Sequence, residues 1–328
     1  MDLIGHLVQW NYLIRLVQEQ KIPQVMIFLG QKKIGKKKIA LKFVKVLNCQ
    51  GIQWKSREKI VPCNSCLICQ KIEKNRYQNL IYLEPEKGKK EISINQIRDL
   101  QNLLILKTQV GYFKTVIIDQ AETLNSEAQN CLLKTLEEPP SQTILILITS
   151  QLEKLFLTIR SRCQILKFFP IPLSEILEEL KKQKKEISEL ELKKIYFLTQ
   201  GKIGEIIEFL EKPEKFPQIL KFFQELEKLL KSKLYEKFVF IPKFFGSEIS
   251  LEQLNSFLDN LENYLRIIFL KKTGLKNEFL DFFNFKELKN YSDSKLIEIF
   301  EDIQTLKKIA SQANINLRLG LENLLLKL

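Results

Sequence analysis

Residues Gly30-Gln-Lys-Lys-Ile-Gly35-Lys36-Lys37 have the spacing of a phosphate-binding loop with one position altered. The pattern asks for Gly, four residues, Gly, Lys and then Ser or Thr, and Lys37 stands where the hydroxyl belongs. Such a loop constrains the fold because it works only between a buried strand and a helix whose first backbone N–H groups face the phosphate. Val25-Met-Ile-Phe-Leu29 supplies the apolar run before Gly30, and Lys36 to Leu47 has helical periodicity. The missing hydroxyl is the group that holds Mg²⁺ on a nucleoside triphosphate. A lysine cannot replace it, since an ammonium offers three donors and no lone pair to a cation. The loop therefore predicts the shape of a nucleotide-binding domain without all of its chemistry.

Three further apolar runs read as strands: Thr115-Val-Ile-Ile-Asp119, Thr143-Ile-Leu-Ile-Leu-Ile-Thr149 and Gln164 to Phe169. A helical stretch, Ser126 to Glu138, lies between the first two and is stopped by Pro139-Pro140. Strands alternating with helices predict an α/β domain, a mainly parallel sheet with helices on both faces, over residues 1–170. The pattern changes at Pro170-Ile-Pro172. Short helices separated by Gly201 and Gly204 are expected from Ser174 to Glu211, as a small helical domain over 171–212. An all-helical domain over 213–328 follows, with candidate helices Gln218–Leu234, Leu251–Lys272, Lys286–Asn290 with its neighbours, and Lys295–Leu328.

With 328 residues there is material for two or three cores. The 45% hydrophobic content, with only 11 Gly and 10 Pro, excludes a disordered chain. No apolar run approaches the ~20 residues of a membrane span, and Met1 to Trp10 lacks the basic start and small-residue cleavage site of a signal peptide. A cytoplasmic protein without membrane partners is expected. The net charge of +13 is uneven: residues 1–170 hold 26 Lys and Arg against 14 Asp and Glu, residues 171–328 hold 26 against 25. A polyanion-facing half would look like this, and so would a lysine-rich bias spread over solvated surfaces.

Cysteines 49, 63, 66 and 69 lie within 21 residues, whereas Cys131 and Cys163 are isolated in apolar contexts. Cys49-x13-Cys63-x2-Cys66-x2-Cys69 offers the four thiolates of a tetrahedral structural zinc, in a module at about 49–70. Reduced thiols or an iron–sulfur cluster are the alternatives. Asp119 ends its strand where a triphosphatase keeps the acid that orients Mg²⁺, although it could also merely cap the following turn. The next residue, Gln120, is a neutral amide that cannot activate water, and Glu122 is expected to point elsewhere. Arg162, in Ser161-Arg162-Cys163, has the place of either a surface ion-pair partner or a cation reaching a neighbour's phosphate, and spacing alone leaves both open. His6 is the only histidine, which excludes His-based triads; Ser141, Thr149 and Ser161 have no candidate base. Leu317, Leu321, Leu324 and Leu325 read as core or oligomer seam.

These segments together resemble the clamp-loader AAA+ family of bacterial DNA polymerase III. The resemblance is carried by Ile4-Gly-His6, Phe28-Leu-Gly30 with Gly35-Lys36, Cys63-Asn-Ser-Cys66-Leu-Ile-Cys69 and Ile94-Asn-Gln-Ile-Arg98. Lys114 to Glu122, Asn130 to Pro140 and Thr158-Ile-Arg-Ser-Arg-Cys163 extend it. Gly201-Lys-Ile-Gly204 and Asn314-Ile-Asn316 with Leu321-Glu322 match more loosely. The resemblance implies an AAA+ domain, a lid and a collar, in a five-subunit ring with delta and tau/gamma subunits that places a sliding clamp on primer-template DNA. Its delta-prime-like branch does not hydrolyse ATP, and offers the arginine of its Ser-Arg-Cys motif to a neighbour. By that resemblance Arg162, between Ser161 and Cys163, is a finger acting in trans. Cys49, Cys63, Cys66 and Cys69 are the ligands of the family's zinc module. Gly30, Gly35, Lys36 and Asp119 form a degenerate nucleotide site at which ATP with its Mg²⁺ is either bound without hydrolysis or not bound at all. The position after Gly204, where active relatives place a phosphate-sensing arginine, holds Glu205. Alternatives are an active tau/gamma-like motor subunit, using Lys36 and the loop amides, and a zinc-bearing DNA-binding protein using the basic half.

Overall fold

Five apolar runs of the first half pair side by side, in one direction, as a fully parallel sheet. The computed structural model describes residues 4–51, 60–105, 112–182, 187–246, 248–273, 292–310 and 316–328. The chain divides into two compact units, one of residues 1–189 with 199–207, the other of residues 190–198 with 208–328. The segment 199–207, expected within the small helical domain, thus packs with the sheet unit.

In the first unit, α1 (Leu7–Gln18), β1 (Val25–Leu29), α2 (Lys36–Asn48), α3 (Leu67–Glu73), β2 (Leu80–Leu83) and α4 (Ile94–Ile105) come first. Then follow β3 (Lys114–Ile118), α5 (Ser126–Glu137), β4 (Thr143–Thr149), α6 (Leu157–Arg160), β5 (Gln164–Lys167) and α7 (Leu173–Lys182). The strand order is β2-β3-β4-β1-β5. The three central strands are buried on both faces, which is why they read as unbroken apolar runs and not as alternations. Met26 and Phe28 of β1 face a cluster with Trp10 and Leu13 of α1, Phe43 and Leu47 of α2, and Ile68 and Ile72 of α3. Val25 and Ile27 face the other, with Ile97 and Leu100 of α4, Leu132 and Leu136 of α5 and Ile159 of α6. The two-residue period of β1 thus divides one strand between two cores.

The ends of α5 follow the sequence closely. Asn125 caps it by accepting from the Ala128 N–H at 2.8 Å, and Pro139 forces Glu138 out of the helical region, which stops the helix. Other elements depart from the sequence reading. β2 was not expected as a strand: its four residues form a half-buried edge, too short for a periodic signal. Gly204 lies inside α9 (Ile203–Glu211), following α8 (Glu189–Thr199), and does not separate helices.

The second unit contains α10 (Lys215–Lys231), α11 (Leu234–Phe245), α12 (Leu251–Lys272), α13 (Asp293–Ala310) and α14 (Leu317–Lys327). The continuous helix expected from Lys295 to Leu328 is therefore two helices, with 311–315 outside the described residues. The helix expected at Lys286–Asn290 and the motif residues Asn314 and Ile315 also fall outside them. Phe223, Phe257, Leu261, Tyr264, Ile299 and Leu324 share one apolar core. Ser250 and Gln253 form a reciprocal capping box at the start of α12, with bonds of 3.1 and 3.0 Å. Among the described residues no helix is long and apolar enough to cross a membrane.

Candidate functional site

β3, β4 and β1 are adjacent and parallel, so Asp119, Ser150 and the loop from Gly30 to Lys36 all gather at their carboxyl ends. Open parallel sheets bind ligands at that edge. Gly35, at φ +100°, makes the turn into α2 in a conformation that glycine adopts freely. The loop's carbonyls at Gly30, Gln31, Lys33 and Ile34 accept bonds from within the chain. Lys36 is buried and donates through Nζ to the carbonyls of Gly30 at 2.5 Å and Gln31 at 2.6 Å. Burial lowers its pKa to about 8, against the opposing pull of the Glu122 and Asp119 carboxylates. His6 bonds the Ile34 carbonyl through Nε2 at 2.5 Å, which requires the proton on that nitrogen.

Lys37 does more than lack a hydroxyl. Its ammonium lies 3.8 Å from Asp119 Oδ2 and 3.9 Å from the centre of the Tyr82 ring. Tyr82 donates its hydroxyl to the same Oδ2 at 2.5 Å. A protein cation therefore faces the carboxylate that the sequence reading assigns to a metal. Gln120, in a left-handed conformation, turns its N–H onto Asp119 Oδ1 at 3.0 Å. Glu122 does not turn away from the site: it accepts from Ser150 Oγ at 2.7 Å and Ser150 N at 3.3 Å, and its charge reaches Lys36. Burial opposes that charge, but the Ser150 hydroxyl, the Glu122 N–H, Thr149 and the Lys32 ammonium together outweigh it and keep the Glu122 pKa below its ordinary value.

The start of α9 closes over the loop. The Gly204 N–H donates to the Lys33 carbonyl at 2.7 Å, and a Cβ on Gly204 would lie 2.6 Å from that oxygen. Glu205 lies 3.9 Å from Lys202 Nζ. Alanine is ordinarily about 1 kcal/mol better than glycine inside a helix. Here the close approach reverses the sign, and Gly204→Ala is expected to destabilise by about 1–3 kcal/mol. Urea unfolding checks this, and a raised midpoint would contradict the contact.

At the carboxyl end of α2, the sulfurs of Cys49, Cys63, Cys66 and Cys69 lie within 4.8 Å of one another, and none of the six cysteines forms a disulfide. Thiolates around a tetrahedral ion with 2.3 Å bonds would stand about 3.8 Å apart, so these four could hold one metal ion. Cys49 caps the end of α2 and Cys66 the start of α3, where its sulfur accepts from the Cys69 N–H at 3.4 Å. The Ser65 hydroxyl and backbone N–H groups lower the Cys63 pKa to about 5, while burial pushes Cys69 up. A bound cation would supply the charge that lets both ionise. Lys45 of α2, buried, ties the module down through Asn64 at 3.2 Å and through Glu73.

Arg162 lies elsewhere. Met26 of β1 pairs with Gln164 of β5, so Arg162 sits near the amino ends of these strands, and Gly30 follows the carboxyl end of β1. About six residues of strand, roughly 20 Å, separate the two levels. Arg162 donates through Nη1 to the Thr158 carbonyl at 2.8 Å, and its Nη2 lies 2.7 Å from Glu137 Oε1. Ser161 donates to Thr158 O at 3.1 Å, and the Cys163 thiol, pushed up to about 12 by burial, donates to Ile159 O at 3.0 Å. Both flanking side chains therefore fasten the turn that carries Arg162. Tyr82, Ser150 and Glu137 escaped notice in the sequence as parts of these sites. The one available signal was charge: Glu137 and Arg162, and likewise Lys37 and Asp119, are opposite charges beside motif positions.

The sequence profile of a family described as "DNA polymerase III, delta subunit" matches residues 5–172. The DNA polymerase III subunit delta' of Pseudomonas aeruginosa is 36% identical over 143 residues, which are 44% of this chain and 42% of that protein. The DNA polymerase III subunit gamma/tau of Mycoplasma genitalium is 32% identical over 208 residues, 62% of this chain and 34% of that one. The chain thus spans less than half the length of either relative. A DNA polymerase III gamma subunit-related protein from Thermotoga maritima shares the fold, with a TM-score of 0.51, 19% identity and 97% of each chain covered.

Proposed function

The chain belongs to the DNA polymerase III delta-subunit family, and we propose that within it the chain is a non-hydrolysing clamp-loader subunit that lends Arg162 to a neighbour's ATP. The observation that carries this reading is the position of Arg162 near the amino ends of β1 and β5, the far edge of the sheet from its own loop. An arginine there cannot serve the chain's own nucleotide, but it can serve one bound by a subunit packed against that edge. There a guanidinium would stabilise charge developing on the γ-phosphate.

The chain's own site supports the same reading. Gly30, Gly35, Lys36 and Asp119 keep the form of a nucleotide site, but Lys36 is engaged by loop carbonyls and Lys37 faces Asp119. Gln120 offers no base, and Glu205 sets a carboxylate where a triphosphate would want a cation. Zinc, held by Cys49, Cys63, Cys66 and Cys69, would be structural, a closed shell pinning the knuckle to the end of α2. Residues 171–212 would then act as the lid and 213–328 as the collar that assembles the ring with delta and tau/gamma subunits. Through that ring the chain would support loading of the sliding clamp on primer-template DNA in the cytoplasm.

A second reading, an active motor subunit, is favoured by one observation: relatives named gamma/tau and tau also match, over 208 and 219 residues. Nucleotide binding separates the two. The isolated chain is expected to turn over no ATP, and to bind it no better with Mg²⁺ than with a chelator. Lys37→Thr restores the metal's hydroxyl and removes the ammonium that faces Asp119, so it should acquire Mg²⁺-dependent binding, still without turnover because Gln120 remains. Mg²⁺-dependent binding with hydrolysis by the unaltered chain would establish the motor instead.

A further inference from the structure

We infer that Glu137 is a positioning residue for Arg162, holding the guanidinium where a neighbouring subunit's phosphate can meet it. This rests on the proposal that Arg162 acts in trans. An arginine side chain has many rotamers, and a group that must meet an anion on another subunit gains from being fixed beforehand. Here two anchors fix it, the Thr158 carbonyl on Nη1 and Glu137 Oε1 near Nη2. They engage two of the five guanidinium N–H groups and leave three for an incoming anion. The side chain remains 37% exposed, so those donors are within reach of solvent and of a partner.

Helix stability does not account for Glu137. It is the last residue of α5, where a carboxylate meets the negative end of the helix dipole, and α5 is already stopped by Pro139. The pair also borders an open cleft of about 430 Å³ against Pro23, Gln24, Leu136 and Pro139, and among the described residues Glu137 is the one acid lining it. A phosphate entering the cleft would find a cation held in place on one wall. No local spacing links Glu137 to Arg162, because the chain between them includes the whole of β4. Their meeting is a product of the tertiary fold.

The test uses the loader reconstituted with its other subunits, comparing Glu137→Ala, Glu137→Gln and Arg162→Ala for hydrolysis at the neighbouring site. A glutamine keeps an acceptor oxygen at the same reach and loses the charge; an alanine loses both. We expect Glu137→Ala to lower kcat at that site about tenfold with KM for ATP unchanged, the mark of a lost orientation and not of lost binding. Glu137→Gln should retain most of the rate. Melting temperatures should stay as in the unaltered chain, which separates misorientation from unfolding. The inference is overturned if Gln and Ala lower the rate alike, if both raise it, or if neither changes it while Arg162→Ala does. If Arg162→Ala itself has no effect, the trans-acting role fails, and positioning by Glu137 fails with it.

Discussion

Replacing Arg162 with alanine is expected to slow hydrolysis at one neighbouring ATP site by about 10³–10⁵-fold, the span of effects for arginines that act on a γ-phosphate. The substitution leaves Thr158, Ser161 and Cys163 to hold the turn, so the fold should persist. It does disconnect Glu137, but an exposed ion pair contributes about 0–1 kcal/mol, too little to unfold the domain. The total rate of the ring would fall by the share of that one site if the sites fire independently. It would fall further if the others wait for it. DNA-stimulated ATPase of the reconstituted assembly, in single-turnover and steady-state forms, distinguishes these cases. Unchanged turnover in both forms would remove the role from Arg162. Lysine at the same position should recover little, since a compact ammonium lacks the planar fork of donors.

The second large effect concerns the cysteine cluster. Metal analysis of the reduced chain should find about one zinc per molecule, and Cys66→Ser should abolish it. Serine is the informative replacement. Cys66 caps α3, and serine is a strongly preferred helix cap, so the cap survives while the thiolate is lost. Structural zinc supplies about 10–16 kcal/mol in small finger peptides, and a module without it would lose its order. Ile60, Ile68 and Ile72 pack into the same core as Val44 and Leu47 of α2, so the damage should reach the helix that follows the phosphate loop. Greater proteolytic sensitivity between residues 49 and 75 and a lower melting temperature would report it. A reduced chain that is fully folded and free of metal would refute the zinc assignment.

Much of the first unit was legible in the sequence. Val25–Leu29, Thr143–Thr149 and the helix from Ser126 were readable because a strand buried on both faces is a continuous apolar run, and a capped helix announces both ends. The cysteine spacing likewise anticipated the cluster, since three of the four sulfurs lie on one short knuckle. β2 was not legible, because Leu80-Ile-Tyr-Leu is a short, half-buried edge without periodic contrast. Gly204 misled for a related reason: glycine usually breaks a helix, but here its missing Cβ admits the Lys33 carbonyl.

By itself the sequence determined the local chemistry: a loop with phosphate-loop spacing and a lysine at the hydroxyl position, a four-thiol set, and an arginine between a serine and a cysteine. Those features depend on neighbours a few residues apart, and local spacing specifies them. Only the tertiary structure decided what each group faces. Tyr82 meets Asp119 across 37 residues because β2 and β3 are paired, and Lys37 meets that same carboxylate because α2 begins beside the end of β3. The register of β5 against β1 sets Arg162 at the opposite edge of the sheet from the loop. Strand order and register are products of packing the whole domain. They set Lys37, where the pattern asks for a hydroxyl, as a cation of the protein's own beside Asp119.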